Sequence, residues 1–178
     1  LGVGILLPLA ARDEQDIMVS SIGPFWDANE TWLVLGVGIL LVAFPKAHGI
    51  ILTSLYLPVA AMLIFLILRG VSFEFRMKAT GWHRELWNRL FFVGSLGAAI
   101  AQGYMVGGVV TGFESGPAYV LFDLLVGVGL AGGYALLGAT WLIIKAEGEL
   151  QARAMHWTHG ALWLTIAGAV VGGALMFK

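Results

Sequence analysis

The polar residues best suited to chemistry lie just before a long apolar run, in the segment 20–32. This segment holds two carboxylates, Asp27 and Glu30, together with two indoles, an amide and a hydroxyl. Three-residue spacing places Asp27 and Glu30 on one face of a helix, and no other ionisable residue occurs in Leu33–Ala43, the run that follows. Carboxylates in this position can take up and release protons. The simpler alternative, helix capping, stays open and applies most directly to Asn29.

An arginine closes the next long apolar run. Arg69 is followed by a segment in which charges alternate, through Glu74 and Arg76. If one membrane span begins and the next ends on the same side, Arg69 can lie at the depth of Asp27, and a buried carboxylate there needs a cationic partner. Alternatively, Arg69 reaches toward lipid phosphates, and Glu74 pairs within its own segment.

The remaining polar residues indicate no metal centre. Asp123, near the start of a later apolar run, and Glu114 before it are either functional or simply solvated or at the headgroup level. His156 and His159 are three residues apart at the start of the last run, but histidines are common at membrane surfaces. The chain has no cysteine, which excludes thiolate ligands, and we expect no metal site.

The composition requires a membrane around these residues. Hydrophobic residues make up 59% of the 178 positions and charged residues only 12%, too little polar surface for a soluble domain of this size. A bilayer core takes roughly 20 apolar residues per helix. The 25 glycines are typical of closely packed membrane helices, and we assign this role to Gly107-Gly108 and Gly132-Gly133.

The apolar runs predict an all-α, polytopic transmembrane helix bundle in a single domain, 1–178, with about five to six spans. We place a partial span at 1–10 and further spans at about 28–44, 47–69, 87–111, 118–144 and 157–178. We expect a kink without a break at Pro58, since membrane helices tolerate proline. The apolar beginning and end predict an incomplete chain of a larger subunit.

Basic residues predict the orientation. The connections at about 11–16, 69–89 and 145–155 carry eight lysines and arginines, and the opposite side carries only Lys46 and Lys178. Under the positive-inside rule, these basic connections face the cytoplasm. Asp27 and Arg69 then lie near the cytoplasmic face.

Several of these residues also carry a resemblance to a known family. The segment 23–32, GPFWDANETW, resembles the signature of subunit II of cytochrome bd quinol oxidases, and 68–76, LRGVSFEFR, is similar to a second segment of that family. Residues 1–4 resemble the end of its first-helix motif, and 145–150 correspond to a stretch after a later helix. The resemblance therefore extends over nearly the whole chain.

The resemblance implies a function that composition and spacing do not. Family complexes oxidise quinol and reduce dioxygen to water in the bacterial inner membrane, taking protons from the cytoplasm. Haem b and haem d are expected in the partner subunit I, with none ligated by this chain, and small accessory membrane subunits are further expected partners; nucleic acid is not. Trp26, Asp27 and Glu30 fall on the family's proton path, and Arg69, Glu74 and Asn29 are expected to support it.

Two other functions fit the residues. A proton-coupled secondary transporter would also place carboxylates at helix starts, but the inverted repeat typical of such carriers is not visible in the sequence. A structural membrane subunit with inert polar caps is the second. Replacing Asp27 by asparagine separates that subunit from the oxidase, because inert caps predict unchanged proton uptake.

Overall fold

The computed structural model describes residues 1–176, without the side chains of Trp26, Asn29, Glu30, Leu33, Leu175 and Met176. These residues form eight α-helices joined by short connections, with no strand among them. The helices are α1 (Gly2–Leu6), α2 (Arg12–Ile22), α3 (Trp26–Ala43), α4 (Pro45–Ser54), α5 (Tyr56–Lys78), α6 (Trp82–Val110), α7 (Pro117–Lys145) and α8 (Glu149–Met176), and a short 3-10 turn, Leu7–Leu9, follows α1. The all-α prediction is confirmed.

Among the residues that the structure describes, three helices are long and apolar enough to cross a membrane: α5, α6 and α7, with a shorter apolar stretch at Val34–Ala43 in α3. At 1.5 Å per residue, a helix of 29 residues such as α6 extends about 43 Å, more than the hydrocarbon core. The run predicted at 87–111 lies in α6 except for its last residue, and the run at 118–144 lies inside α7. Of the last predicted run, 157–178, residues 157–176 lie in α8 and the final two lie outside the described residues.

The segment predicted as one helix over 47–69 is divided at Leu55, where α4 ends and α5 begins. The prediction of a kink without a break at Pro58 is therefore wrong. Proline has no N–H to donate to the carbonyl of Ser54, and its ring clashes with that carbonyl in a continuous helix. Starting α5 at Tyr56 places Pro58 in the first turn, where the missing N–H is not needed.

Helices α5, α6, α7 and α8 pack in sequence as antiparallel neighbours, and α1 packs against α6 and α7. Glycines make the approaches close: a Cβ on Gly107 would lie 2.7 Å from the Cα of Asp123, and one on Gly132 would lie 3.0 Å from the Leu164 side chain. At Gly138 the backbone of Gly2 would be 2.4 Å away. The glycine stretches thus serve helix packing, as predicted.

Helix α2 is inserted into one end of this bundle. Met18 and Val19 are fully buried, in one core cluster with Phe73, Phe91 and Leu142. The basic segment 11–16, predicted as a connection, is therefore mostly the first turns of a packed helix. The basic segment 69–89 is also mostly helical, since only residues 79–81 separate α5 from α6.

Helices α3 and α4 pack on each other, and their apolar side chains remain outside the core. In α3 the described apolar side chains from Val34 to Val42 are exposed, apart from Leu40, which is partly buried. Helix α4 has no buried residue. The core therefore lies among α1, α2 and α5–α8.

Candidate functional site

Arg69, a residue of α5, lies inside the bundle and packs against α6. Its residue surface is only 5% exposed, and its guanidinium carbon stands 5.4 Å from the centre of the Phe91 ring, within range of a cation–π interaction. Gly94 permits this approach, because a Cβ there would come within 2.8 Å of the Arg69 backbone nitrogen. Arg69 therefore holds a fixed positive charge in the interior of the bundle.

A cavity of about 490 Å³ adjoins Arg69 and brings it close to the segment 20–32. We call it the Arg69 cavity; it is lined by Leu1, Gly2, Val3, Ile22, Phe25, Arg69, Tyr134, Leu137, Gly138 and Trp141. Phe25 meets Trp141 edge to face, with ring centres 5.8 Å apart. Since Phe25 immediately precedes α3, this contact holds the start of α3 beside Arg69.

The other predicted site residues have different surroundings. Asp27, in the first turn of α3, is exposed, and its backbone carbonyl accepts a hydrogen bond of 3.1 Å from Thr31 Oγ1. Glu74 is exposed on α5. The side chains of Trp26, Asn29 and Glu30 lie outside the described part of the chain. An ion pair between Asp27 and Arg69 therefore stays a prediction.

A second polar group, which sequence reasoning missed, joins α2 to α5 and α6. We call it the α2 network; it consists of Gln15, Asp16, Arg76, Arg84 and Asn88. Arg76 donates to Asp16 at 2.7 Å, and Arg84 donates to the same carboxylate oxygen. Arg76 also donates through Nε to the Asn88 side-chain oxygen.

The α2 network continues inward through amides. Asn88 donates to the Gln15 side-chain oxygen at 2.7 Å, and Gln15 in turn donates to the carbonyls of Leu7 and Ala10, each at 3.3 Å. Buried polar groups are stable only when hydrogen-bonded. The chain of bonds satisfies these side chains and fixes α2 against the turn after α1.

Asp16 is the charged centre of the α2 network. Partial burial of its carboxyl by itself raises the pKa, but hydrogen bonds from Arg84 and Arg76, and their charges, outweigh burial and lower the pKa below its ordinary value of 3.8. The side chain of Asp16 is still 47% exposed, so the ion pairs are well screened by water. Asp16 is thus held as an anion at neutral pH.

A neighbouring ion pair connects α2 to α8. Arg153 donates to Glu14 at 3.1 Å, and the same carboxylate oxygen accepts the Ala11 N–H at 2.9 Å, capping α2. With the bonds of Asp16, this pair brings the segments 11–16, 69–89 and 145–155 to one end of the bundle, which we call the basic end. Which side of the membrane that end faces stays a prediction.

One signal in the sequence could have revealed α2. Polar residues of the run Arg12–Asp16 suggested a solvated connection, but Glu14 and Met18, and Gln15 and Val19, are spaced four apart. That spacing continues one helical face from the polar run into the apolar residues after it. The partners of this face are remote in sequence and gave no local signal.

The chain is similar to known proteins over nearly its whole length, residues 1–177. The sequence profile of the family described as cytochrome bd terminal oxidase subunit II matches residues 1–177. This chain belongs to that family. The match includes the segment before α3, Arg69 and the α2 network.

Individual relatives agree with the family assignment. Cytochrome bd-I ubiquinol oxidase subunit 2 of Escherichia coli is 30% identical over 191 residues, covering 97% of this chain and 50% of that protein. Cytochrome bd ubiquinol oxidase subunit 2 of Bacillus subtilis is 39% identical over 99 residues, covering 53% of this chain and 29% of that protein. The probable cytochrome oxidase subunit 2 of Haemophilus influenzae is 28% identical, with coverage of 100% and 52%. The chain thus spans about half the length of the E. coli and H. influenzae relatives.

Proposed function

We propose that this chain is part of subunit II of a bd-type membrane quinol:dioxygen oxidoreductase. In that complex it supports the haem-bearing subunit I and contributes to the uptake of cytoplasmic protons for the reduction of dioxygen to water. The observation that carries the proposal is the family match over residues 1–177. The Arg69 cavity supports it, because it gathers Phe25 and Arg69, from the two segments most similar to the family, at one place.

The haems belong, in this proposal, to the partner subunit. Axial ligands of haem iron include histidine and methionine, held in a shielded pocket. In the described part of this chain, His83, His156 and His159 are exposed and His48 is only partly buried. Exposed histidines do not form such a pocket, and in this proposal the chain serves proton uptake and assembly.

Asp27 is the residue we propose to receive the proton. Its exposed position at the start of α3 lets its carboxylate exchange protons with water. Trp26 and Glu30, its neighbours in the first turns of α3, then form the start of the path toward subunit I. Arg69 remains charged at any working pH, so it cannot carry the proton and instead acts as a fixed positive charge beside the path. In this proposal Asn29 and Glu74 support the path together with Arg69.

The test is Asp27→Asn in the purified oxidase complex. Asparagine keeps the size of the side chain but cannot bind a proton near neutral pH, so we expect quinol-driven oxygen consumption and the accompanying proton uptake to fall by about tenfold or more. Asp27→Glu should retain both. Asp13→Asn is the matched control, since Asp13 is an exposed aspartate on α2, and should leave both unchanged.

The same experiment separates the alternatives. Unchanged oxygen consumption and proton uptake in Asp27→Asn would show that Asp27 is an inert cap, while haem content would report assembly independently. A transporter predicts instead that the protein, reconstituted in liposomes without a partner, moves a solute in response to a proton gradient. Such transport, together with an absence of oxygen reduction in the purified complex, would contradict the proposal.

A further inference from the structure

A buried carboxylate lies at the end of the bundle opposite the basic end. Asp123 is the seventh residue of α7, about 9 Å along the helix from Pro117 at 1.5 Å per residue. It is only 5% exposed. The sequence left open whether Asp123 is solvated, and its burial excludes that possibility. Its Oδ1 is buried without a hydrogen-bond partner.

The packing of α6 explains why this oxygen has no partner. Asp123 lies where α6 presents glycines: a Cβ on Gly107 would be 2.6 Å from Oδ1, and one on Gly108 would be 3.8 Å from Oδ2. Glycine offers no side-chain donor, and backbone N–H groups within a helix are already bonded. A buried ionised carboxylate without a partner is strongly unfavourable, so this position requires a counter-charge or a proton.

Asp123 lines a cavity of about 640 Å³ between the start of α5, the second half of α6 and the start of α7. We call it the Asp123 cavity. Its walls include four aromatic residues: Tyr56, Phe65, Tyr104 and Phe113. The charged residues among its lining are Asp123 and Glu114; Glu114 is exposed at the mouth.

We propose that the Asp123 cavity binds a primary ammonium group carried on an apolar body. The ammonium supplies the hydrogen bonds and the positive charge that the carboxylate of Asp123 lacks. Aromatic faces attract cations, and the apolar walls at Phe65 and Ile100 accommodate the attached chain. The volume is typical of cavities that enclose small molecules.

Two sources supply this chemistry: the headgroup of an aminophospholipid and a free long-chain amine. Both place a primary ammonium at the level of the first turns of α7, with hydrocarbon beside it. A proton on Asp123 would also neutralise the charge, but it would involve none of the aromatic walls of the cavity. Ammonium binding that depends on the Asp123 carboxylate distinguishes a bound ammonium from a proton on Asp123.

The test uses the purified complex that contains this chain, with dodecylammonium as the probe and dodecanol as the uncharged probe with the same chain. Calorimetric titration should show that dodecylammonium binds and that Asp123→Asn weakens its binding about tenfold or more, as expected for loss of a charge-assisted hydrogen bond. Asp13→Asn should have no effect. Native mass spectrometry of the complex from phosphatidylethanolamine-containing membranes identifies the source: an aminophospholipid retained by the parent and lost in Asp123→Asn, or none retained while the amine still binds.

A variant at the mouth guards against misfolding of Asp123→Asn. Leu57 lines the cavity and is exposed, so Leu57→Trp blocks access while leaving the core intact, and it should also weaken dodecylammonium binding. The proposal is overturned if the parent binds neither probe nor lipid, if dodecanol binds as well as dodecylammonium, or if dodecylammonium binds Asp123→Asn or Leu57→Trp as tightly as the parent.

Discussion

Asn88 is the residue through which the α2 network holds three helices together, and Asn88→Ala tests that role. The substitution removes the oxygen that accepts from Arg76 Nε and the amide that donates to Gln15 Oε1 at 2.7 Å. The Arg76 side chain is only 2% exposed, so water cannot easily replace the lost acceptor. Both partners are left with an unmade bond in the interior.

The magnitude follows from those two groups. A buried polar group left unsatisfied costs about 1–3 kcal/mol, with charged groups toward the upper end. Leaving Arg76 and Gln15 each with one unsatisfied buried group should together lower the free energy of unfolding by roughly 2–5 kcal/mol. The ion pair of Arg76 with Asp16 survives the substitution, which argues against a larger loss.

The assay is equilibrium unfolding of the purified protein in mixed detergent, followed by circular dichroism. Arg89→Ala is the control on the same helix: its side chain is 75% exposed and pairs with Glu85 one turn away, a contact worth at most about 0.5 kcal/mol. The double variant Gln15→Ala, Asn88→Ala should lose less free energy of unfolding than the sum of the losses in the two single variants, because both substitutions break the same hydrogen bond. If Asn88→Ala falls within about 0.5 kcal/mol of the parent, the network does not stabilise the fold.

Two further predictions concern stability. Gly138→Ala should lower the free energy of unfolding by about 1–3 kcal/mol, because its Cβ would meet the Gly2 backbone at 2.4 Å, whereas Gly36→Ala, which has no atom within 4 Å, should be neutral or slightly stabilising; equal effects of the two in detergent unfolding would contradict this packing. Because folding lowers the pKa of Asp16 below 3.8, the stabilisation from its ion pairs is present above that value and lost as pH falls through the folded-state pKa. The stability difference between the parent and Asp16→Asn, about 1 kcal/mol because the Asp16 side chain is 47% exposed, should therefore vanish in acid, and a difference that grows as pH falls would refute the assignment.

Much of the fold was predictable because apolar length is a local property. The runs 87–111 and 118–144 were predicted by composition alone, and they lie within the helices α6 and α7 except for one residue at the end of α6. The break at Leu55 was not predicted, because a proline in a membrane helix permits either a kink or a new start and the local sequence does not decide between them. The glycine stretches were assigned correctly, since glycines in apolar helices have few roles other than close packing.

The candidate site also contains residues that the sequence could indicate and others that it could not. Asp27 and Arg69 were selected by residue type and position, and the structure places Phe25 and Arg69 at one cavity. The burial of Asp123 was not predictable, because it depends on which glycines of α6 face it across the helix interface. The α2 network was missed altogether.

Composition and the spacing of apolar runs determined by themselves that this chain is a helical membrane protein, and a few conspicuous motifs indicated the family to which it belongs. Hydrocarbon imposes helix length on any chain that crosses it, so this information is stored locally. The polar architecture was decided only by tertiary structure. Asp16 and Arg76 are 60 residues apart and Gln15 and Asn88 are 73 apart, and partners so remote meet only once the helices between them have packed.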